Sequence, residues 1–366
     1  MYRRCLIASV GIAMCVSTGF AYQAPAAGPN SVLKTVKVDG AGGLDYVYAD
    51  ADGRRLYVPR GGATQGAPGR ISVFNLDTLD PVGEIPNASA RGAAVDPKSH
   101  HGFATSKPVV MWDTTTLATI KTIDVQGGPD GIMFDPFNAR IWILSHSAPN
   151  VTLINAADGT IAGTIDLGGA PEQAQSDGKG TVYVDLEDKD AIAVVDAKTM
   201  KLTTTYDISA KGGGPGGLGL DIKNHILFAT CHSAGKDGAQ GAASMVVLSA
   251  TDGRILASLP IGSGTDGGGF NASTMEAFSS NGTGTLSIIK ENSPTSFVVE
   301  QELKTTSGAK TMTIDTKTNH VLLIAGEYGP APAPTTPPPT APPAGRGGRG
   351  GPRGPMLGFS ILVVGK

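Results

Sequence analysis

Two histidines, His146 and His232, each stand just after a short, mainly apolar run, and Glu187 holds the same place in the segment between them. Imidazole and carboxylate together form a donor set for a divalent metal ion. No His-Xaa-Xaa-His or Cys-Xaa-Xaa-Cys spacing accompanies them. These ligands can therefore meet only if the fold brings distant segments together. Arg60, Lys107, Asn281 and Glu327 share the register of this set. A second register carries Asp45, Arg91, Asp130, Glu172, Gly216, Asp266 and Lys310. Placed in one ring, these acids and bases either bind a polar ligand or cation or satisfy one another around water. Cys231 adjoins His232, a pairing that can activate a thiolate. It also ends an alternating apolar strand, where a lone cysteine reads as a small buried hydrophobe.

Both registers rest on a repeat. The copy GGPDGIMFDPFNARIWILSHSAPNVTLINAADGTIAGTIDL is followed at once by GGAPEQAQSDGKGTVYVDLEDKDAIAVVDAKTMKLTTTYDI. Each copy holds four short apolar runs separated by turn residues, with a period of about 40–50 residues, as in four-stranded propeller blades. The copies align on an acidic hairpin residue: Asp50, Asp96, Asp135, Asp177, Asp221 and Asp315, with Asn271 in the sixth. An aspartate there can accept hydrogen bonds from its own downstream backbone. The second runs, such as Ile141-Trp142-Ile143 and Val182-Tyr183-Val184, and the third, such as Ile192-Ala193-Val194-Val195, have strand composition.

The last copy stops at its third strand, Phe359-Ser360-Ile361-Leu362-Val363-Val364. The missing fourth pattern stands at the other end, in Val32-Leu33-Lys34-Thr35-Val36-Lys37-Val38. The expected fold is therefore all-β: a seven-bladed β-propeller of four-stranded antiparallel blades, its ring closed by the N-terminal strand. In such a ring the entry to each innermost strand and the loop between strands two and three share a face. That geometry predicts Asp45, Arg91, Asp130, Glu172, Asp266, Lys310, Lys107, Glu187 and Glu327 around one channel mouth, with His146 and His232 as metal ligands.

Strings such as VYVDLEDKDAIAVVDAKTMKLTTTYDI, in which an aromatic strand leads through an Ile/Val-rich strand to an Asp-Xaa-Xaa-Thr turn, resemble the YVTN-repeat, YncE-like family of seven-bladed propellers. The resemblance runs over nearly all of the chain after residue 26. It implies a fold similar to the propellers of nitrite reductase and quinohaemoprotein amine dehydrogenase.

The N-terminus reads as a targeting segment. Arg3 and Arg4 precede an apolar run from Cys5 to Val16, too short to span a bilayer, and small residues follow. Residues 1–26 are expected to be a signal peptide, and residues 30–366 a single propeller domain, periplasmic or secreted. Removal of the signal takes Cys5 and Cys15 and leaves Cys231 without an intramolecular disulfide partner. The 330–355 segment is Pro-rich and then Gly/Arg-rich, a composition that builds no core and is expected to be a disordered loop.

With 29 Lys and Arg against 32 Asp and Glu, the net charge of −3 implies neither bulk nucleic-acid nor membrane-surface attraction. The leading expectation is a monomeric, non-enzymatic exported binding protein or interaction scaffold that takes a small polar ligand or a protein partner on its loop-rich face. The alternative is a metal-dependent, lactonase-like hydrolase using His146, His232 and the channel-mouth acids, with a divalent metal as its cofactor. A third reading is nucleic-acid binding through Arg346, Arg349 and Arg353.

Overall fold

The structure, a computed structural model, describes residues 27–64, 66–331 and 354–366. The 1–26 segment and all but the base of the 330–355 loop lie outside these residues, so the targeting and Gly/Arg readings fall outside the description. Among the described residues, none forms a helix long and apolar enough to cross a membrane.

Among the described residues, twenty-eight strands form seven sheets of four. The innermost strands are, in blade order, Tyr48–Asp50, Ala93–Asp96, Pro129–Asp135, Pro171–Ser176, Gly213–Asp221, Thr265–Asn271 and Thr311–Asp315. Six blades are antiparallel meanders in sequence order. Blade seven runs Thr311–Asp315, His320–Tyr328 and Met356–Gly365, and its outer strand is the N-terminal Ser31–Asp39. That strand pairs antiparallel with the last one from Ser31 opposite Gly365 to Asp39 opposite Gly358. The ring is thus closed by the strand that the sequence placed there. Closure covers the C-terminal strand on both sides and makes the N-terminal strand the outer edge of blade seven.

The hairpin residues act as their side-chain chemistry requires. Asp50 accepts the Gly53 amide at 2.8 Å, Asp221 that of Lys223 at 2.9 Å, and Asn271 that of Ser273 at 2.9 Å. Asp96, Asp135, Asp177 and Asp315 accept downstream amides in the same way. Blade seven is locked to blade one at this level. Both Arg54 guanidinium nitrogens reach Asp315, at 2.9 and 2.8 Å.

The core is a set of seven apolar clusters, one between each pair of neighbouring blades. Trp142, Leu144 and Leu153 of blade three pack on Val182, Val184 and Val195 of blade four. Across the closure, Leu56, Val58 and Phe74 of blade one pack on Ile324, Phe359 and Ile361 of blade seven. Each such side chain contributes about 1.5–3 kcal/mol when fully buried. No blade can bury both its faces alone, which makes the closure as important as any single sheet.

Candidate functional site: the charged channel mouth

The inner strands of blades three to six all lose register with their second strands near the same face. The shifts fall between Pro129 and Ile132, Pro171 and Ala174, Pro215 and Gly217, and Thr265 and Gly267. A bulge frees a residue from the ladder and re-aims its side chain. The residues inside the bulges include Asp130, Glu172, Gly216 and Asp266, the members of the sequence-predicted ring. In blades one, two and seven the corresponding Asp45, Arg91 and Lys310 lie just before the inner strand. Neighbouring entries are stitched by backbone: Tyr46 N–H donates to Arg91 O at 3.1 Å, and Asp266 N–H to Lys310 O at 3.2 Å.

The side chains meet. Arg91 Nη1 lies 3.4 Å from Asp45 Oδ2 and 3.2 Å from Asp130 Oδ2. Lys310 pairs with Asp266. His146 Nε2 lies 3.0 Å from Glu172 Oε1 and 3.5 Å from Asp130 Oδ2. Its loop is held by Asn150 Nδ2, which donates to Ser145 O at 3.2 Å, and by Ser145 Oγ, which accepts the Gly128 amide at 2.8 Å.

Tyr46 is the residue that the sequence reading missed. Its hydroxyl donates to Glu172 Oε2 at 2.8 Å, linking blade one to blade four across the lumen. The positions that follow the ring residues are Tyr46, Gly92, Gly131, Gln173, Gly217, Gly267 and Thr311. Only blade one carries an aromatic there, and small neighbours give it room. The glycines are also needed where inner strands crowd: a Cβ at Gly131 would lie 2.2 Å from Glu172 O, and one at Gly217 2.4 Å from Gly268 N. That single aromatic in a column of four glycines, a glutamine and a threonine was the available signal.

Charge in the mouth is out of balance, with four carboxylates facing Arg91 and Lys310. Burial, reinforced by Asp130 and Asp266, pushes the Asp45 carboxyl up to about 7 against the pull of Lys310 and Arg91. Burial likewise raises Asp130. The hydrogen bond to Glu172 raises His146 to about 9. Burial would raise Glu172 too, but the donors His146 and Tyr46 outweigh it and leave this carboxylate below its ordinary range. The mouth therefore holds protons near neutrality in place of missing positive charge.

The remaining predicted residues divide. Glu187 sits in the 3₁₀ turn Glu187–Lys189, and its charge helps to raise His146. His232 lies over Gly216, where a Cβ would be 3.3 Å from its Nε2, so the imidazole fills the one gap in the ring. It is not among the donor atoms that cluster with His146. Lys107 spends its ammonium on Gly127 O at 2.5 Å. Glu327 points elsewhere, accepting from Ser360 Oγ at 2.5 Å and facing Lys37 at 3.6 Å, because it lies across the sheet from the outer strands of blade seven. Arg60 is buried with its guanidinium 4.9 Å from the Phe359 ring. Cys231 is wholly buried, and burial pushes its thiol well above the ordinary range, so it is core and holds no thiolate.

Below Tyr46 and Glu172 the channel opens into a cavity of about 400 Å³ whose walls include Ile132, Phe134, Leu220, Phe270 and Ile314. The same walls also carry Tyr48, Gln173, Gln175 and Thr313, so a polar, ionised rim stands over a shaft of mixed polar and apolar lining.

No family model matches the chain, and no curated protein does. Solved structures do. The WD40 repeats of RRP9 superpose with a TM-score of 0.66 over 94% of this chain and 99% of theirs, at 11% identity. U3-55K superposes with a TM-score of 0.64 over 93% of this chain and 99% of its own, at 10% identity. This chain has the fold of the WD40 seven-bladed propellers. At such identity the likeness is one of architecture, and the mouth residues carry the functional argument.

Proposed function

We propose that this chain is an exported, non-enzymatic propeller of the YVTN-repeat, YncE-like kind that binds a small polar ligand at the charged mouth of its channel. The observation that carries this reading is the convergence of Asp45, Arg91, Asp130, His146, Glu172, Asp266 and Lys310, from six blades, on one opening. Ionisable groups gathered over a cavity cost desolvation energy that the fold does not need for its stability. The seven interblade clusters already hold the ring together. A protein partner that inserts a polar side chain into the mouth would use the same groups. A periplasmic or secreted location follows from the targeting pattern of residues 1–26.

The test is a thermal-shift panel on the mature chain with polyamines, free amino acids and dicarboxylates as probes. At least one class should raise the melting temperature of the wild type. The same class should leave an Arg91→Ala/Glu172→Gln double variant unmoved. A panel that moves neither protein, or moves both equally, overturns the reading.

The lactonase-like reading draws on a more specific observation. Asp130, His146 and Glu172 bring three potential metal-ligand atoms within 4.8 Å of one another. Hydrolysis would need a metal with an open position there, and turnover of a lactone by metal-loaded wild type would favour it over simple binding.

A further inference from the structure

We propose that the mouth holds a divalent first-row transition cation on Asp130 Oδ2, His146 Nε2 and Glu172 Oε1. This inference rests on the reading of the mouth as a ligand site and names the class of one ligand. It replaces the pairing of His146 with His232 by a set drawn from blades three and four alone.

The geometry is that of a metal site. The three donor atoms lie within 4.8 Å of one another, with His146 Nε2 3.0 Å from Glu172 Oε1 and 3.5 Å from Asp130 Oδ2. Ligands about 2.0–2.1 Å from a tetrahedral zinc stand roughly 3.3 Å apart, so the two separations from His146 Nε2 need only a few tenths of an ångström of adjustment. One imidazole and two carboxylates suit zinc or manganese better than the soft ions that thiolates select. Three protein ligands also leave a fourth position open, as in sites where the metal meets an outside molecule.

The surroundings fit as well. Tyr46 donates to Glu172 Oε2, the oxygen that is not in the donor set, and so fixes the carboxylate plane. Outer hydrogen bonds of this kind orient metal ligands and affect their affinity. Arg91 contacts both Asp45 and Asp130, so it can keep Asp45 as a partner when a cation takes Asp130. Counting side chains in the mouth, carboxylates exceed Arg91 and Lys310 by two, the charge of one divalent ion. A cation on His146 Nε2 needs that nitrogen free of a proton, and any proton held there leaves to solvent on binding.

The experiment is calorimetric titration of ZnCl₂ into chelator-treated mature protein, with circular dichroism of every variant. One equivalent should bind to the wild type. His146→Ala and Glu172→Gln should each weaken binding at least about tenfold. His232→Ala should leave it within about twofold. Should a variant misfold, the visible spectrum of Co²⁺ added to the wild type reads the site without substitution, and a four-coordinate spectrum displaced by zinc supports the proposal. Absence of zinc binding in the wild type overturns it, as does equal loss in His232→Ala. If zinc fails while the panel of polar solutes still acts through Arg91 and Glu172, the cation falls and the mouth reading stands. If both fail, the mouth reading falls too.

Discussion

Tyr46 of blade one and Glu172 of blade four are joined by a 2.8 Å hydrogen bond that spans the channel of the ring. The bond helps to keep Glu172 ionised in a half-buried place and closes the polar rim over the shaft. Tyr46→Phe should cost about 1.5–3 kcal/mol, the net worth of one hydrogen bond to a charged group. It should also let the Glu172 carboxyl titrate at higher pH. Urea unfolding reads the first effect as a shift in midpoint at constant slope. An unchanged midpoint would mean that the two residues do not hold each other in solution.

Closure should be a single point of failure. Arg54→Ala strips buried Asp315 of its bidentate partner and should cost about 2–3 kcal/mol. The contact that Arg54 also makes with surface Asp77 adds little. Deleting the N-terminal strand Ser31–Asp39 bares the last strand, Met356–Gly365, as an unpaired edge. That protein should aggregate, whereas removal of a surface loop of like length should not. Size-exclusion chromatography after refolding separates the outcomes.

The mouth should make stability depend on pH in a defined direction. His146 is raised to about 9, so its contribution is complete below its unfolded value near 6.5 and is lost as pH rises through about 9. Asp45 is raised to about 7, so the folded state holds its proton more tightly, and that contribution fades between about pH 4 and 7. Glu172 and Asp315 are lowered, so theirs is present above the unfolded carboxylate value and is lost in acid. Melting temperature should thus fall from neutral pH toward pH 9, and His146→Gln should flatten that limb. Parallel alkaline limbs in the two proteins would count against the His146–Glu172 pair.

Asp185 offers a separate test in the second strand of blade four, Thr181–Leu186. Its side chain is wholly buried, neither oxygen has a hydrogen-bond partner among the described residues, and burial raises its carboxyl well above the ordinary range. A raised carboxyl costs stability as pH climbs from about 4 toward its folded value. Asp185→Asn should match the wild type near pH 5 and exceed it near pH 8. Equal unfolding midpoints at both pH values would show that Asp185 is solvated in the folded chain.

The ring was legible in the sequence because its determinants are periodic. Hairpin residues such as Asp221 and Asn271 serve their own turns, so each copy announces itself locally, and counting copies exposes the strand missing at the C-terminus. The ring of mouth residues was legible for the same reason, since each stands five residues before the hairpin residue of its copy. Contacts across the lumen were not. Nothing near Tyr46 in the chain announces Glu172, and the partner of His146 depends on how the bulges at Asp130 and Glu172 aim their side chains. Glu327 shares the register of His146, yet blade seven builds its outer half from Met356–Gly365 and Ser31–Asp39, and these strands give that carboxylate Ser360 and Lys37. Register predicts the face reached by a residue, while the neighbouring blades decide what it meets there.

The most direct measurement is anomalous diffraction at the zinc edge from crystals of the mature chain soaked in ZnCl₂. One strong peak should appear about 2.0–2.2 Å from His146 Nε2 and from carboxylate oxygens of Asp130 and Glu172. A map with no peak in the mouth, or one in which the ion joins His146 to His232 and leaves Asp130 free, would contradict this assignment.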